Sequence, residues 1–569
     1  MTATEQTGRF AAEPVRLGNG SAVRAAAQRD DATRYLCAAA HIDRTFADLA
    51  IREFLTEPLR AIPPSPAVDA ATVLREAGAA RRRRLLRDWV LLGILLLLLV
   101  TRFGAALPWF LFGFGMAVAR VARSGRPTRL ERAARSRVWF RRALWVVAIA
   151  LLLAGLAVLA ASLALVGASA VAAVPGLGAF SSGGFDWLGV TLALLALAVL
   201  VLDQYAVSYL LTRSFRRGMF TAGPGVDTWP GERWVRGMGH RRYRRRLERI
   251  ARATAEDNLT AYRDYDPFVG AGARGEPLRE PIQLTAKETD DSEIDVPHRE
   301  PFTLAELYDY VTEQLLALHE APSLAPSARL AELSVHSQVV VPVGELLQNL
   351  GDPATRVVLP SLDEPPSQTV PPDVIADVTE RSLEWMRYYR CFRVETWSRD
   401  VTVSAYLHFG VSDRMLYFEW IPYVLYPIAD SYRVVDRKPL EPLGPLRDAL
   451  IEWTRLPGSL LPRIGPLFRR IRPIAPGRGV VLAAQYGSSY SLRELAAASE
   501  PQNYFQDADI TRYLQLLTGR TWRAIGEFLE DHGIEVTDFM SQAAAIGDQY
   551  TFNGPVYTNS IGSNNRVRS

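Results

Sequence analysis

The chain has 569 residues, 49% of them hydrophobic and 22% charged, and its 65 basic and 61 acidic side chains leave a formal net charge of +4. The mean hydropathy, +0.01, is that of an ordinary globular protein. The apolar residues nevertheless crowd between Trp89 and Leu211, which excludes a simple soluble enzyme and a disordered chain alike.

Lysine occurs only at Lys287 and Lys438. So lopsided an arginine content reflects coding bias more than selection for guanidinium chemistry. Cys37 and Cys391 stand far apart and outside any metal-ligand spacing, so neither a disulfide framework nor a zinc site is expected.

Residues 1–80 are polar and charged, without the features of a secretory signal. Within them, 21–80 reads as two amphipathic helices split at Ile62-Pro63-Pro64-Ser65-Pro66, with Leu36, Phe46, Phe54 and Leu55 on an apolar face. Three apolar blocks follow: Trp89 to Ala119, Ala143 to Val174 and Trp187 to Leu211. A bilayer core of about 30 Å takes about 20 helical residues. The last two blocks are therefore expected to form a transmembrane hairpin within 143–211. The first, interrupted at Thr101-Arg102, is expected to be a re-entrant or broken membrane hairpin over 89–119.

Arginines flank every block except at the connection Pro175 to Asp186, which places that connection outside and both termini in the cytoplasm. Asp203, the one acid within a span, reads as a helix-end or packing residue. Residues 213–266 hold a basic juxtamembrane helix in which Arg241, Arg242, Arg244, Arg245, Arg246 and Arg249 are candidates for contact with anionic lipid headgroups. Nucleic acid is the less favoured partner for that run.

The glycines, prolines and acids of 267–301 read as a linker. Residues 302–500 are then expected to form a cytoplasmic α+β domain, with strands at Val335–Val343, Arg356–Leu359, Phe392–Trp397, Val401–Ser412, Met415–Tyr423 and Ser431–Val435. Its clearest pattern is an antiparallel pair with one dry face, made by Val401, Val403, Ala405, Leu407, Phe409 and Val411. Residues 507–547 read as a three-helix module whose first helix stops at Gly519.

The polar tail, 548–569, spaces single apolar residues between turn signals. Asn553, Gly554, Val556, Ile561, Gly562, Asn564, Asn565 and Val567 make it a candidate cross-β assembly motif, similar to short amyloid-signalling segments. A mobile polar terminus with at most one hairpin is the favoured reading of the two.

No phosphate-binding loop, serine-nucleophile motif or zinc-protease motif is present, and the histidines are dispersed. His408 shares a strand face with Tyr406 and Ser404, and Glu395 and Glu419, read as lying on adjacent strands, could form a carboxylate pair in the right register. No catalytic, cofactor or metal residue is assigned.

Four segments carry a resemblance: Arg34-Tyr35-Leu36-Cys37-Ala38-Ala39-Ala40-His41, Arg60-Ala61-Ile62-Pro63-Pro64-Ser65, Asp266-Pro267-Phe268-Val269-Gly270-Ala271-Gly272 and Tyr504-Phe505-Gln506-Asp507. In these the chain resembles uncharacterised multi-pass membrane proteins of actinobacteria, streptomycetes especially. The resemblance implies a plasma-membrane location and no activity.

The expected architecture is thus an α-helical membrane region followed by a cytoplasmic α+β domain with an antiparallel sheet and a C-terminal three-helix module. The expected role is a membrane-anchored, non-enzymatic platform for sensing, scaffolding or assembly. Its expected partners are an anionic bilayer, an unidentified cytoplasmic protein or a second copy of the chain. A membrane-associated enzyme and a transport-complex component are the alternatives.

Overall fold

The structure, a computed structural model, describes residues 20–65, 68–123, 145–155 except 152, 187–217, 220, 243, 245–252, 257–286, 301–320 and 330–541 except 331, 382, 398, 413, 438–442, 461–462 and 466–482. The tail motif lies outside the described residues, as do most of the 143–174 block and the connection from Pro175 to Asp186.

The centre is a seven-stranded mixed sheet: β1 (Leu259–Tyr262), β2 (Ala273–Arg274), β3 (Leu278–Gln283), β4 (Leu333–Pro342), β5 (Arg387–Thr396), β6 (Val401–Ser412) and β7 (Met415–Leu425). The order is β1-β4-β5-β6-β7-β2, and β3 extends the β7 edge beyond β2. Only β1 and β4 run parallel. Strands β6 and β7 pair along their whole length, from Thr402 opposite Leu425 to Ser412 opposite Met415.

Helices α6 (Leu304–Glu320) and α8 (Tyr504–Asp531) cover one face of the sheet. Tyr308, Phe392, Phe409, Phe418, Trp420 and Trp522 are all buried between these layers. The rings of Phe418 and Trp522 meet edge to face with centroids 5.0 Å apart, and Trp420 donates its indole N–H to Thr518 at 3.0 Å.

The opposite face was expected to be wet. It is covered as well, because Phe268, on the segment read as a linker, lies against it among Tyr389, Cys391, Tyr406, Ile421 and Tyr423. Residues 267–283 are therefore built into the domain, where they supply a plug and two edge strands. Their glycines looked like linker composition because the plug needs them. Gly270 and Gly272 have φ of +102° and +96°, and a Cβ would meet the Pro64 carbonyl at the first and the Val424 carbonyl at the second.

Other expectations are corrected by the same packing. Arg356–Leu359 falls in a short helix, Pro353–Val358, capped by Asp352, and Ser431–Val435 lies in helical turns. The three-helix module is overturned: α8 runs unbroken through Gly519 for 28 residues. A glycine inside a helix costs about 1 kcal/mol relative to alanine. Ile510, Leu514, Leu517, Trp522, Ile525 and Leu529, all buried, keep one apolar stripe in phase across it and outweigh that cost.

Before the sheet, α1 (Gly20–Ile42) and α2 (Arg44–Ile51), continued by a π turn over Arg52–Thr56, lead into α3 (Ala70–Thr101), α4 (Phe103–Arg123) and α5 (Trp187–Tyr209). Asp43 caps α2 and Asp69 caps α3. This arm makes a second core, in which Leu36, Phe46 and Phe54 pack with Ile428, Tyr432 and Leu492. Arg34 fixes it to the sheet domain through a bidentate pair with Asp436, at 2.7 and 2.8 Å.

The expected multi-helix membrane region is also corrected. Among the described residues one helix, Trp187–Ser214, is long and apolar enough to cross a bilayer. The break expected at Thr101-Arg102 is there, but the first half of the 89–119 block is no separate membrane segment, since it continues a helix that begins at Ala70. The apolar part of α4, Ala106–Arg120, makes only about 22 Å of helix, short of a bilayer core of about 30 Å.

Candidate functional site

The polar sheet face is the first place to look for chemistry, and it is filled. The Phe268 ring stacks on Tyr406 with centroids 3.7 Å apart and meets Tyr389 and Tyr423 edge to face. His408 is turned to the backbone, its Nδ1–H donating to the Tyr388 carbonyl at 2.8 Å, and burial lowers its pKa. Ser404 is buried on the same face.

Glu395 and Glu419 are not neighbours, since β6 separates their strands; Glu395 pairs with Arg399 and Glu419 with Arg279. Beneath the plug, Glu494 accepts hydrogen bonds from the backbone N–H groups of Gly270, Gly272 and Ser491 at 2.8 to 3.0 Å. Burial nonetheless pushes its carboxyl up to about 6. These groups lock a loop onto the sheet. Among the described residues no group of His, Cys, Asp or Glu is arranged to hold a metal ion.

The basic run has a different disposition from the one expected. Arg241, Arg242 and Arg244 lie outside the described residues. Arg245 is exposed and Arg249 half-buried, whereas Arg246 is turned inward. It donates to the carbonyls of Phe54, Pro58 and Arg60 at 3.1, 3.3 and 2.6 Å, so it is unavailable to headgroups.

Among the described residues the densest charged constellation lies where the apolar helices meet the sheet domain. It is assembled from Arg83, Arg87 and Asp88 on α3, Asp203 and Gln204 at the end of α5, and Glu452 on α7 (Gly444–Thr454), with Arg463 beyond it. Arg87 Nη1 lies 2.8 Å from Asp203 and 3.5 Å from Glu452. Arg83 pairs with the other oxygen of Asp203 at 3.1 Å. Arg463 donates to both Asp88 and Glu452 at 2.6 Å, and Gln204 donates to Glu452 at 3.0 Å. Burial pushes the Glu452 carboxyl up, but Arg87 and Arg463 more than offset it and hold the group below its ordinary range.

Below this cluster α7 lies along α5. Leu192, Ala196 and Leu200 of α5 pack with Leu91, Ile94, Leu95 and Leu98 of α3 and with Ala449 and Leu456. Trp453 donates its indole N–H to the Ala193 carbonyl at 2.9 Å, and Trp109 of α4 donates to the Trp453 carbonyl at 3.1 Å. A turn of the sheet domain also meets α4 backbone to backbone, at Gly458 and Gly113, where a Cβ at Gly458 would strike the Gly113 backbone and one at Gly113 would fit only tightly against Pro457.

This clamp buries only one stripe of α5, from Gly189 through Leu192, Ala196 and Leu200 to Asp203. The rest of the helix is apolar and open: Trp187 is 73% exposed, Leu194 55% and Leu202 71%. On α3 Leu96, Leu97 and Val100 are exposed too. In the most apolar stretch of Trp187–Ser214 only 17% of the residues are buried, unlike the core helix of a globular domain.

Asp203 was visible in the sequence as the lone acid of an apolar block. The rest of the cluster was not, because Arg87 lies over a hundred residues before it and Glu452, which Arg87 also reaches, over two hundred after it, on an amphipathic helix with no motif.

Fold and site together define an α+β domain clamped by buried charge to an exposed apolar helix. Residues 276–565, just over half of the chain, match the family model of the AbeC-like domain. The chain belongs to the AbeC-like domain family. The matched region takes in β3 to β7, α6 to α8 and Glu452, and leaves β1, β2 and the apolar helices on its N-terminal side. No curated protein and no solved structure matches the chain.

Proposed function

We propose that the chain is a membrane-anchored, non-catalytic platform that holds its AbeC-like domain against the bilayer surface. One observation carries this reading: α5 is apolar all round, yet only the stripe facing α3 and α7 is buried. A helix of that kind finds its remaining solvent in lipid. Arg213, Arg216 and Arg217, which follow it, favour placing the sheet domain on the cytoplasmic side. Exposed Arg245 and Arg252 add positive charge next to anionic headgroups.

The platform part of the reading is supported by the packing of the sheet. Its polar face is occupied by Phe268 rather than open to a substrate, and the Arg34–Asp436 pair ties the N-terminal arm rigidly to the domain.

Reconstitution of the full chain into vesicles containing brominated phosphatidylcholine tests the anchor. Trp89 and Trp187 are exposed on the apolar helices, so their fluorescence should be quenched and the chain should float with the vesicles. A chain that stays monodisperse without detergent and does not float would overturn the reading.

A further inference from the structure

A cleft of about 340 Å³ opens between the N-terminal arm and the segment Pro360–Gln368; Arg60 and Arg249 line one side, and Ser367 and Gln368 the other. Its size is that of a site for a small ligand.

The charges around the cleft are unbalanced. Arg60 and Arg263 share Glu53, at 2.7 and 3.5 Å, and Arg60 also approaches Glu57 at 3.9 Å. Arg246 is 6% exposed, and its partners among the described residues are backbone carbonyls. Arg249 forms no ion pair with any described residue. Burial, with Arg249 and Arg60 nearby, pushes the Arg246 pKa down to about 9. Glu53, already shared by Arg60 and Arg263, offsets this only in part; a buried guanidinium short of counter-charge is costly, and a further anion relieves that cost.

Two residues of the lining also carry buried nitrogen donors that have no acceptor among the described residues, the Nε of Arg60, itself 6% exposed, and the amide nitrogen of Gln368. The Ser367 hydroxyl is already committed to the Val357 carbonyl at 3.0 Å. Pro365 and Pro366 stiffen the wall and have no N–H of their own. Glu364 is the one carboxylate of the lining and is exposed at the rim.

We propose that this cleft is a phosphate-binding site, in which Arg249, Arg60 and Gln368 receive the oxygens of a phosphate group carried either by a lipid headgroup or by a soluble phosphate ester. Arginine suits that group because its planar fork matches the spacing of phosphate oxygens. The basic run singled out in the sequence would thus meet its anion in a pocket rather than across an open surface.

The test is calorimetric titration of the detergent-solubilised full chain with inorganic pyrophosphate at fixed ionic strength. Saturable binding is expected, weakened about tenfold or more in Arg249→Gln, equivalent to about 1.4 kcal/mol. Gln368→Leu should weaken it too, and both variants should keep the thermal unfolding of the wild type. Competition by phosphatidylglycerol vesicles but not phosphatidylcholine vesicles would assign the phosphate to a headgroup. Competition by neither would assign it to a soluble ester. No saturable binding, or equal affinity in wild type and both variants, would overturn the proposal.

Discussion

Arg87 on α3 lies 2.8 Å from Asp203 on α5, and the same guanidinium reaches Glu452 on α7 at 3.5 Å. Three segments far apart in sequence are therefore joined through one side chain that is 14% exposed. Breaking one member of such a cluster costs more than the net worth of the pair, because the remaining charges stay buried.

Asp203→Asn should accordingly destabilise the detergent-solubilised chain by about 3 kcal/mol. Arg87→Gln should cost a similar amount. The double variant should cost clearly less than the two together, since both single changes unbalance the same buried cluster, in which Asp203 also pairs with Arg83 and Arg87 with Glu452. Chemical denaturation of all four proteins measures the coupling, and strict additivity would mean that the pair carries no interaction.

Gly458→Ala drives a Cβ into the Gly113 backbone and has no flexible side chain to displace. It should cost about 1–3 kcal/mol and loosen the sheet domain from α4. An unchanged melting temperature would show that the two backbones do not meet so closely in solution.

Phe268→Ala removes a ring stacked on Tyr406 and edge-on to Tyr389 and Tyr423. The cost should be about 3–5 kcal/mol, and the tyrosines should become accessible to nitration. If the variant keeps both stability and tyrosine protection, Phe268 is not the plug.

These sites show what could be read from sequence. The alternation over Val401–Ser412 and the restart at Met415 are where β6 and β7 lie, because a period of two with a tight turn is a local signal. The Asp266–Gly272 plug was read as a linker, since glycine serves equally for mobility and for φ angles that other residues avoid. Gly519 was read as a stop, although the apolar stripe running past it was the stronger evidence. Hydropathy averaged the charged start of α3 away from its apolar end and so hid that the two are one helix. The Arg87–Asp203–Glu452 cluster depends on tertiary placement alone.

Glu494 gives a pH signature. Its folded pKa is raised to about 6 from the ordinary 4.5. Above pH 6 the carboxylate is ionised in both states, and the folded state bears the cost of burying it. As the pH falls from about 6 to about 4.5 the folded state takes up the proton first, so this group's contribution to stability rises by about 2 kcal/mol. In Glu494→Gln that rise should vanish from denaturant unfolding measured across the same window, while a persisting rise would assign it to other groups.

Extraction of the full chain from cell membranes with alkaline carbonate tests the anchor most directly. Wild type should remain in the membrane pellet, and Leu194→Arg with Leu202→Arg, two charges on the open face of α5, should release it into the supernatant in folded form. Release of the wild type, or equal retention of the charged variant, would contradict the reading of α5 as the element that holds the AbeC-like domain at the bilayer.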